Sequence, residues 1–160
     1  LETQFPLLPD DEEQIREAIW NFCAAWNMHN PRYMAAGWLE DGDLINPYGH
    51  LATGRAEVEA LFAIEQKTIF AKSKYSAPAI RRILHVGSRD IAVATYDGLI
   101  TGMRTPDGTP WAPLVHIGTT VLARDKQRWM VASARPAVIE ALPSWAEPWR
   151  AEVGNNPATK

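Results

Sequence analysis

The chain has one cysteine, Cys23, in 160 residues, so no internal disulfide can staple it and packing alone must hold the fold. It also lacks Cys/His pairs at zinc spacing, and its four histidines (His29, His50, His85 and His116) are too scattered to form a metal motif. No apolar run approaches the roughly 20 residues of a membrane helix. Positive charge is not in excess: 16 Lys and Arg against 19 Asp and Glu leave a net charge of −3. The basic residues do not cluster either, which argues against a nucleic-acid surface. There is no Gly-x-Ser-x-Gly elbow, no glycine loop of the phosphate-cradling kind and no internal repeat. What the chain does have is tryptophan, seven of them, large flat side chains that fill cores and line pockets. The length suits one domain, able to bury roughly 70% of its unfolded surface. The sequence opens on Leu1 rather than methionine, so we expect processing or trimming upstream, and a cytoplasmic and a secreted location both stay open.

The expected organisation is an arm over 1–9, one domain over 10–142 and a Trp/Pro-containing tail over 143–160. Asp10 reads as an N-cap with Glu13 completing a capping box. Ile15, Ala18, Ile19, Phe22, Cys23 and Trp26 then recur at helical spacing to about His29. Trp20 lies off that stripe. Asn30-Pro31 restarts the chain as cap and first helical residue, and Tyr33, Met34, Gly37 and Trp38 give a short second helix closed by Asp41-Gly42. A short strand over Asp43–Pro47 leads through Tyr48-Gly49-His50 to a third helix, opened by Thr53-Gly54. That helix carries Val58, Leu61, Phe62, Glu65 and Ile69 on one face. Ser73 to Ser76 reads as a linker. The period then shortens: strands are expected over Pro78–Val86, Ile91–Arg104, Trp111–Arg124 and Arg128–Arg135, joined by turns such as Pro106-Asp107-Gly108. The fold class is therefore α+β: three N-terminal helices on a strongly curved, mixed but mostly antiparallel sheet, with a conical hollow between the layers.

Several segments carry a family resemblance. Ala25-Trp26-Asn27-Met28-His29-Asn30, Asp43-Leu44-Ile45-Asn46, Gly54-Arg55, Asp90-Ile91-Ala92-Val93 and Arg128-Trp129 stand in an order that resembles the NTF2-like superfamily, in particular its SnoaL-like and SgcJ/EcaC-type small proteins. The likeness spans about Glu13 to Arg135 and implies the cystatin-like cone fold. That fold hosts isomerases, hydrolases, cyclases, dehydratases and assembly domains, so it does not choose an activity. The resemblance also implies a homodimer formed through the convex sheet face. In ketosteroid isomerases of the superfamily a catalytic Asp precedes the Pro of the first strand, and an oxyanion-hole Tyr lies on the first helix. Here those positions are Asn46 and Phe22, neither of which can do that work.

The resemblance implies that the last strand's Trp and alternate residues after it point inward, and with that phase strand parity nominates the residues of the hollow. Inward on the last strand are Trp129, Val131, Ser133 and Arg135; on its neighbour His116, Gly118 and Thr120; on the next Ala92, Ala94, Tyr96 and Gly98. A bulge would invert such assignments. Ala94, Gly98 and Gly118 read as space for a ligand. His116, Tyr96 and Arg135 form the candidate catalytic set: a neutral imidazole to move a proton, with Tyr and Arg to stabilise negative charge on oxygen. Each has a plainer reading, His116 as a satisfied core histidine, Tyr96 as core filler and Arg135 as a rim ion pair. Asn46, Tyr48, His50, Phe22, Trp26, Trp38, Trp129 and Thr120 are the candidate ligand contacts. No metal and no cofactor is expected. The expected partner is a small hydrophobic molecule, with neither nucleic acid nor membrane involved. Three functions remain open at this point: cofactor-free isomerisation, dehydration or cyclisation; binding without turnover; and protein assembly through the sheet's outer face and the Trp145/Trp149 tail.

Overall fold

The computed structural model describes residues 6–140; the expected tail with Trp145 and Trp149 lies outside them, as does most of the arm. Helix α1 spans Pro9–Asn27, α2 Pro31–Ala35 and α3 Arg55–Lys67. The strands are β1 Trp38–Ile45, β2 Leu51–Thr53, β3 Lys74–Tyr75, β4 Ala79–His85, β5 Ile91–Thr101, β6 Leu114–Asp125 and β7 Arg128–Val138. They form one sheet in the order β2-β1-β7-β6-β5-β3, with β4 also paired to β5. Only β1 and β7 run parallel; every other pairing is antiparallel. The sheet curls round the helices, as the α+β reading requires. No described helix is long and apolar enough to cross a membrane.

Local chemistry explains most boundaries. Pro9, not Asp10, starts α1: its fixed φ suits the first helical position, and Leu8 is the extended N-cap with no side-chain cap bond. The expected capping box is therefore not formed, and Asp10, Asp11 and Glu12 lie in the first turn. Asn30 caps α2 as expected, accepting a bond from Tyr33 N at 3.2 Å. That helix stops at Ala35, so Trp38 opens β1 instead of closing a helix. Asp41-Gly42 falls inside β1, where the register against β7 shifts between Trp38 and Asp43. Ser73–Ser76 contributes β3 where a linker was expected. Trp111 lies before β6, and β7 runs on past Arg135 through Pro136.

The core has two parts. Cys23, Trp26, Met34, Trp38, Val58, Phe62, Phe70 and Tyr75 build the larger one, between the helices and the β1–β7 side. Ile15, Ile19, Ala92, Ala94, Tyr96, Leu122 and Trp129 build the other, under the first half of α1. Ala94 is fully buried within that second cluster, so it contributes packing where the sequence suggested space.

Candidate functional site

Between α1, α3 and the concave face of the sheet lies a cavity of about 80 Å³, several times the roughly 10–15 Å³ that admits one water. Its walls are mostly apolar and aromatic. Phe22 is at the centre of the aromatic set, with ring centroids 6.1 Å from Trp26, 5.5 Å from Trp38, 5.6 Å from Phe62 and 6.0 Å from Tyr75. The indole donors are already used: Trp26 Nε1 donates to Ser73 Oγ at 2.9 Å, and Trp38 Nε1 to the Asp43 carbonyl at 3.1 Å. Polar chemistry on this wall therefore falls to a few residues.

One polar group is Glu65, on α3. It was visible in the sequence only as a member of that helix's apolar face. In the structure it is buried and lines the cavity. Burial pushes its carboxyl above the usual range, against smaller opposing effects from the Asn46 bond and the His50 charge. Asn46, which stands just past β1, holds it: Nδ2 donates to Glu65 Oε1 at 2.9 Å. The Asn46 side chain is itself fixed by the loop that follows, since Oδ1 accepts from Tyr48 N at 3.0 Å and His50 N at 2.9 Å. Gly49 at φ +84° closes this turn. An amide can accept from the loop and donate to the carboxyl at the same time, which a carboxylate could not.

The second polar group is His116, on β6, buried and paired through Nε2 with the Tyr75 hydroxyl. Among the described residues its Nδ1 makes no hydrogen bond of good geometry, and the Ile117 backbone nearby favours the charged ring only weakly. Burial lowers the imidazole pKa, against smaller opposing effects from the Asp97 charge and the Ile117 backbone, and keeps the ring neutral near pH 7; burial also raises the pKa of the Tyr75 phenol. Tyr75 is held by its backbone: Asn27 Nδ2 donates to its carbonyl at 2.8 Å and its N–H donates to Asn27 Oδ1 at 2.7 Å. A polar side chain of α1 thus acts as a strand partner for β3. Tyr75 was lost in the expected linker, and its sequence neighbours give no signal of its role.

The predicted residues divide by placement. His116, Tyr96, Asn46, Phe22, Trp26, Trp38 and Thr120 line the cavity; burial pushes the Tyr96 phenol up to about 12. Arg135, Trp129, Tyr48 and His50 do not line it. Ala132 is an extra residue in β7, since Leu122 pairs with Val131 but Val121 with Ser133. That bulge reverses the parity beyond it. Ala134 and Pro136 line the cavity in place of Ser133 and Arg135, and Arg135 makes a forked ion pair with Asp43 at 2.8 and 3.1 Å. Trp129 faces inward but packs under the start of α1, its Nε1 3.4 Å from Asp11 Oδ1 and Arg124 lying 4.7 Å over its ring. Tyr48 is half exposed, and partial burial, with the Glu65 charge second, raises the pKa of its phenol; His50 meets Asn46 Nδ2 at 3.1 Å instead of the cavity.

The two glycines read as open space are filled. A Cβ at Gly98 would fall 2.2 Å from His116 Nε2, and one at Gly118 would fall 2.3 Å from the Tyr96 ring. These glycines let the rings of neighbouring strands lie flat across them. Among the described residues no group of three or more His, Cys, Asp or Glu side chains could hold a metal ion.

Solved structures share this fold. An NTF2-like protein with a cystatin-like fold from Novosphingobium aromaticivorans superposes with a TM-score of 0.66 at 20% identity, covering 87% of this chain and 88% of its own. This chain has the NTF2-like, cystatin-like fold. A ketosteroid isomerase-like protein from Erwinia carotovora atroseptica has the same NTF2-like plan, with a TM-score of 0.70 at 16% identity over 84% of this chain and all of its own length. So does a candidate scytalone dehydratase from Novosphingobium aromaticivorans, with a TM-score of 0.69 at 15% identity over 82% and 85%. No protein-family model matches the sequence, and no curated protein does. At these identities the likeness establishes the NTF2-like fold alone.

Proposed function

We propose that the protein binds a small, largely apolar molecule in this cavity and moves a proton on it without a cofactor, with Glu65 as the proton-carrying group. One observation carries the reading: a carboxyl group lines an apolar cavity, desolvated and held in place by the Asn46 amide. A desolvated carboxyl with a raised pKa is suited to accept and return protons near neutral pH. His116 and Tyr75 supply hydrogen-bonding groups at a second point on the same wall. The isomerase-like and dehydratase neighbours support isomerisation or dehydration as the reaction type, and ring closure needs the same groups.

The test uses acetophenone, whose methyl protons exchange with D₂O when a base removes them. The protein should accelerate that exchange over buffer. Glu65→Gln should reduce the acceleration by about 100-fold or more, the scale of a lost general base, and Glu65→Asp should retain part of it. No acceleration, or none that depends on Glu65, would sink the proposal. The alternative, binding without turnover, requires only the aromatic walls and predicts that the Gln variant differs from the parent in nothing but charge.

A further inference from the structure

We infer that His116 is a hydrogen-bond donor to the ligand, and that the cavity selects an uncharged molecule whose acceptor oxygen docks on its Nδ1–H. This rests on the proposal above only in taking the cavity as a ligand site. It reverses the proton-moving role that the sequence suggested for the imidazole.

The inference follows from counting protons. Tyr75 O–H and His116 Nε2 share one hydrogen bond, and no second partner is found for either atom among the described residues. If Nε2 carried the ring proton and donated to the phenol oxygen, the Tyr75 hydrogen would have no acceptor and Nδ1 would have no donor. Two buried polar atoms would then be unmet. If Tyr75 donates to Nε2, its hydrogen is satisfied and the ring proton must sit on Nδ1. One unmet group remains, a buried N–H. An imidazolium is disfavoured because its partner is a phenol and not a carboxylate. The charge of Asp97, on the adjoining strand, favours the protonated ring, but burial outweighs it, and that carboxylate is committed to Arg81 at 2.7 Å.

Four buried side-chain atoms lack partners among the described residues: Asp11 Oδ2, Gln66 Nε2, His85 Nε2 and His116 Nδ1. Of these only His116 is on the cavity wall. A native fold tolerates such an orphan poorly, so a ligand acceptor there is its natural complement.

Charge completes the selection. Among the described residues no Lys or Arg lines the cavity, and the wall carries a carboxyl, Glu65. Arg135 is turned away onto Asp43, and Arg124 is held by Asp11 at 2.6 Å and Asp90 at 3.0 Å. An anionic ligand would lose its hydration with no counter-charge in reach and a carboxyl group nearby. A ketone, ester, ether or phenol oxygen meets no such penalty.

Acetophenone and benzoate make the test, because they share a ring and a carbonyl and differ in charge. On protein carrying ¹⁵N-histidine at pH 7, the His116 ring should show a protonated Nδ1 and a bare Nε2, assigned against His116→Gln. Acetophenone should bind at least tenfold more tightly than benzoate, and its bound C=O stretch should move to lower frequency. Tyr75→Phe should abolish the tautomer preference and weaken acetophenone five- to tenfold, leaving benzoate unchanged. An Nε2–H ring or an imidazolium overturns the inference; so does benzoate binding as tightly as acetophenone, or no binding by either. The tautomer is read on the parent protein, so a poorly folding variant does not remove the test. Acetophenone binding with the Nδ1–H ring, but with exchange indifferent to Glu65, would sustain this inference and remove the catalytic proposal alone.

Discussion

Gly98→Ala isolates the packing on which the His116–Tyr75 pair depends. Gly98 needs no special backbone conformation: it sits within β5 opposite His116 of β6, and positive φ is found at other glycines. By itself a methyl group there would be mildly stabilising, by about 0.4–1 kcal/mol through the unfolded chain. The cost comes from collision with two side chains, His116 and Tyr75. The new carbon would lie 2.2 Å from His116 Nε2, 2.5 Å from Cε1 and 2.6 Å from the Tyr75 hydroxyl, where about 3.5–4.0 Å is comfortable. Relief requires either separating β5 from β6 or swinging the imidazole off Tyr75. Overpacking of this kind costs about 1–3 kcal/mol, and parting the buried hydrogen bond adds about 1–3 kcal/mol. Net of the backbone gain, we expect a loss of roughly 1–5 kcal/mol, seen as a fall in Tm of roughly 2–20 °C. Urea unfolding followed by tryptophan fluorescence gives the free energy directly. A double-mutant cycle with His116→Ala then asks whether the ring is the obstacle. In that background the Gly98→Ala penalty should shrink to what the Tyr75 hydroxyl, 2.6 Å from the new carbon, still imposes. The reasoning is refuted if Gly98→Ala is neutral, or if its cost survives intact once the imidazole is gone.

The other expectations concern charge and surface. Because burial raises the folded-state pKa of Glu65, its stabilising contribution is whole below its ordinary pKa of 4.5 and is lost as pH rises through the raised value; Glu65→Gln should flatten the stability–pH profile above 4.5, measured by urea midpoints. Asn46→Asp should place two carboxyls at hydrogen-bond distance, leaving stability near the parent's at pH 4 and lowering it by about 1–3 kcal/mol at pH 7. Asp11→Ala should cost about 2–4 kcal/mol, because Arg124 and Trp129 both lose their buried acceptor. Burial raises the Asp11 pKa, but the bonds from Arg124 and Trp129 and the Arg124 charge outweigh it and hold the carboxyl below 3.8; its contribution should therefore persist above that pH and fade as pH falls through the lowered value. On the sheet face turned from the helices, Leu99 and Val115 are exposed cross-strand partners; if two copies pair there, Val115→Arg should shift gel-filtration elution from dimer to monomer, and a monomeric parent would remove the idea.

Much of this fold was legible because period and turn chemistry act locally. The stripe of α1, the Asn30 cap and the β5–β6 meander all follow from a few neighbouring residues. So did the inward parity of Tyr96, His116 and Thr120, which lie on one unbroken register. Arg135 was misplaced because parity survives only to the first bulge, and the extra residue Ala132 is ordinary in sequence. Trp38 was misread because an aromatic at helical spacing from Tyr33 and Met34 looks the same whether the chain coils on or turns at Gly37. Tyr75 was invisible because its strand is two residues long and exists through Asn27, 48 positions earlier. Glu65 did leave a signal. A carboxyl on the buried stripe of a helix costs free energy unless something repays it, and that anomaly alone marked the position.

Asn46 and Glu65 make sense only as a pair. The resemblance that placed a catalytic Asp at position 46 made Asn46 look like a loss, yet the structure shows a carboxyl at the same wall, carried by α3 instead of β1. Two carboxyls there would share one proton and repel once both ionised, so a carboxyl at 65 is best served by an amide at 46. The amide then takes on a second task, since its oxygen holds Tyr48 N and His50 N and its nitrogen holds Glu65. Loop shape and carboxyl position are thereby fixed by one side chain. The Glu65 carboxyl reaches the cavity from the helical layer, while the His116 imidazole belongs to the sheet. A molecule bound between the layers can meet both, and any change in how α3 rests on the sheet alters the geometry that joins them.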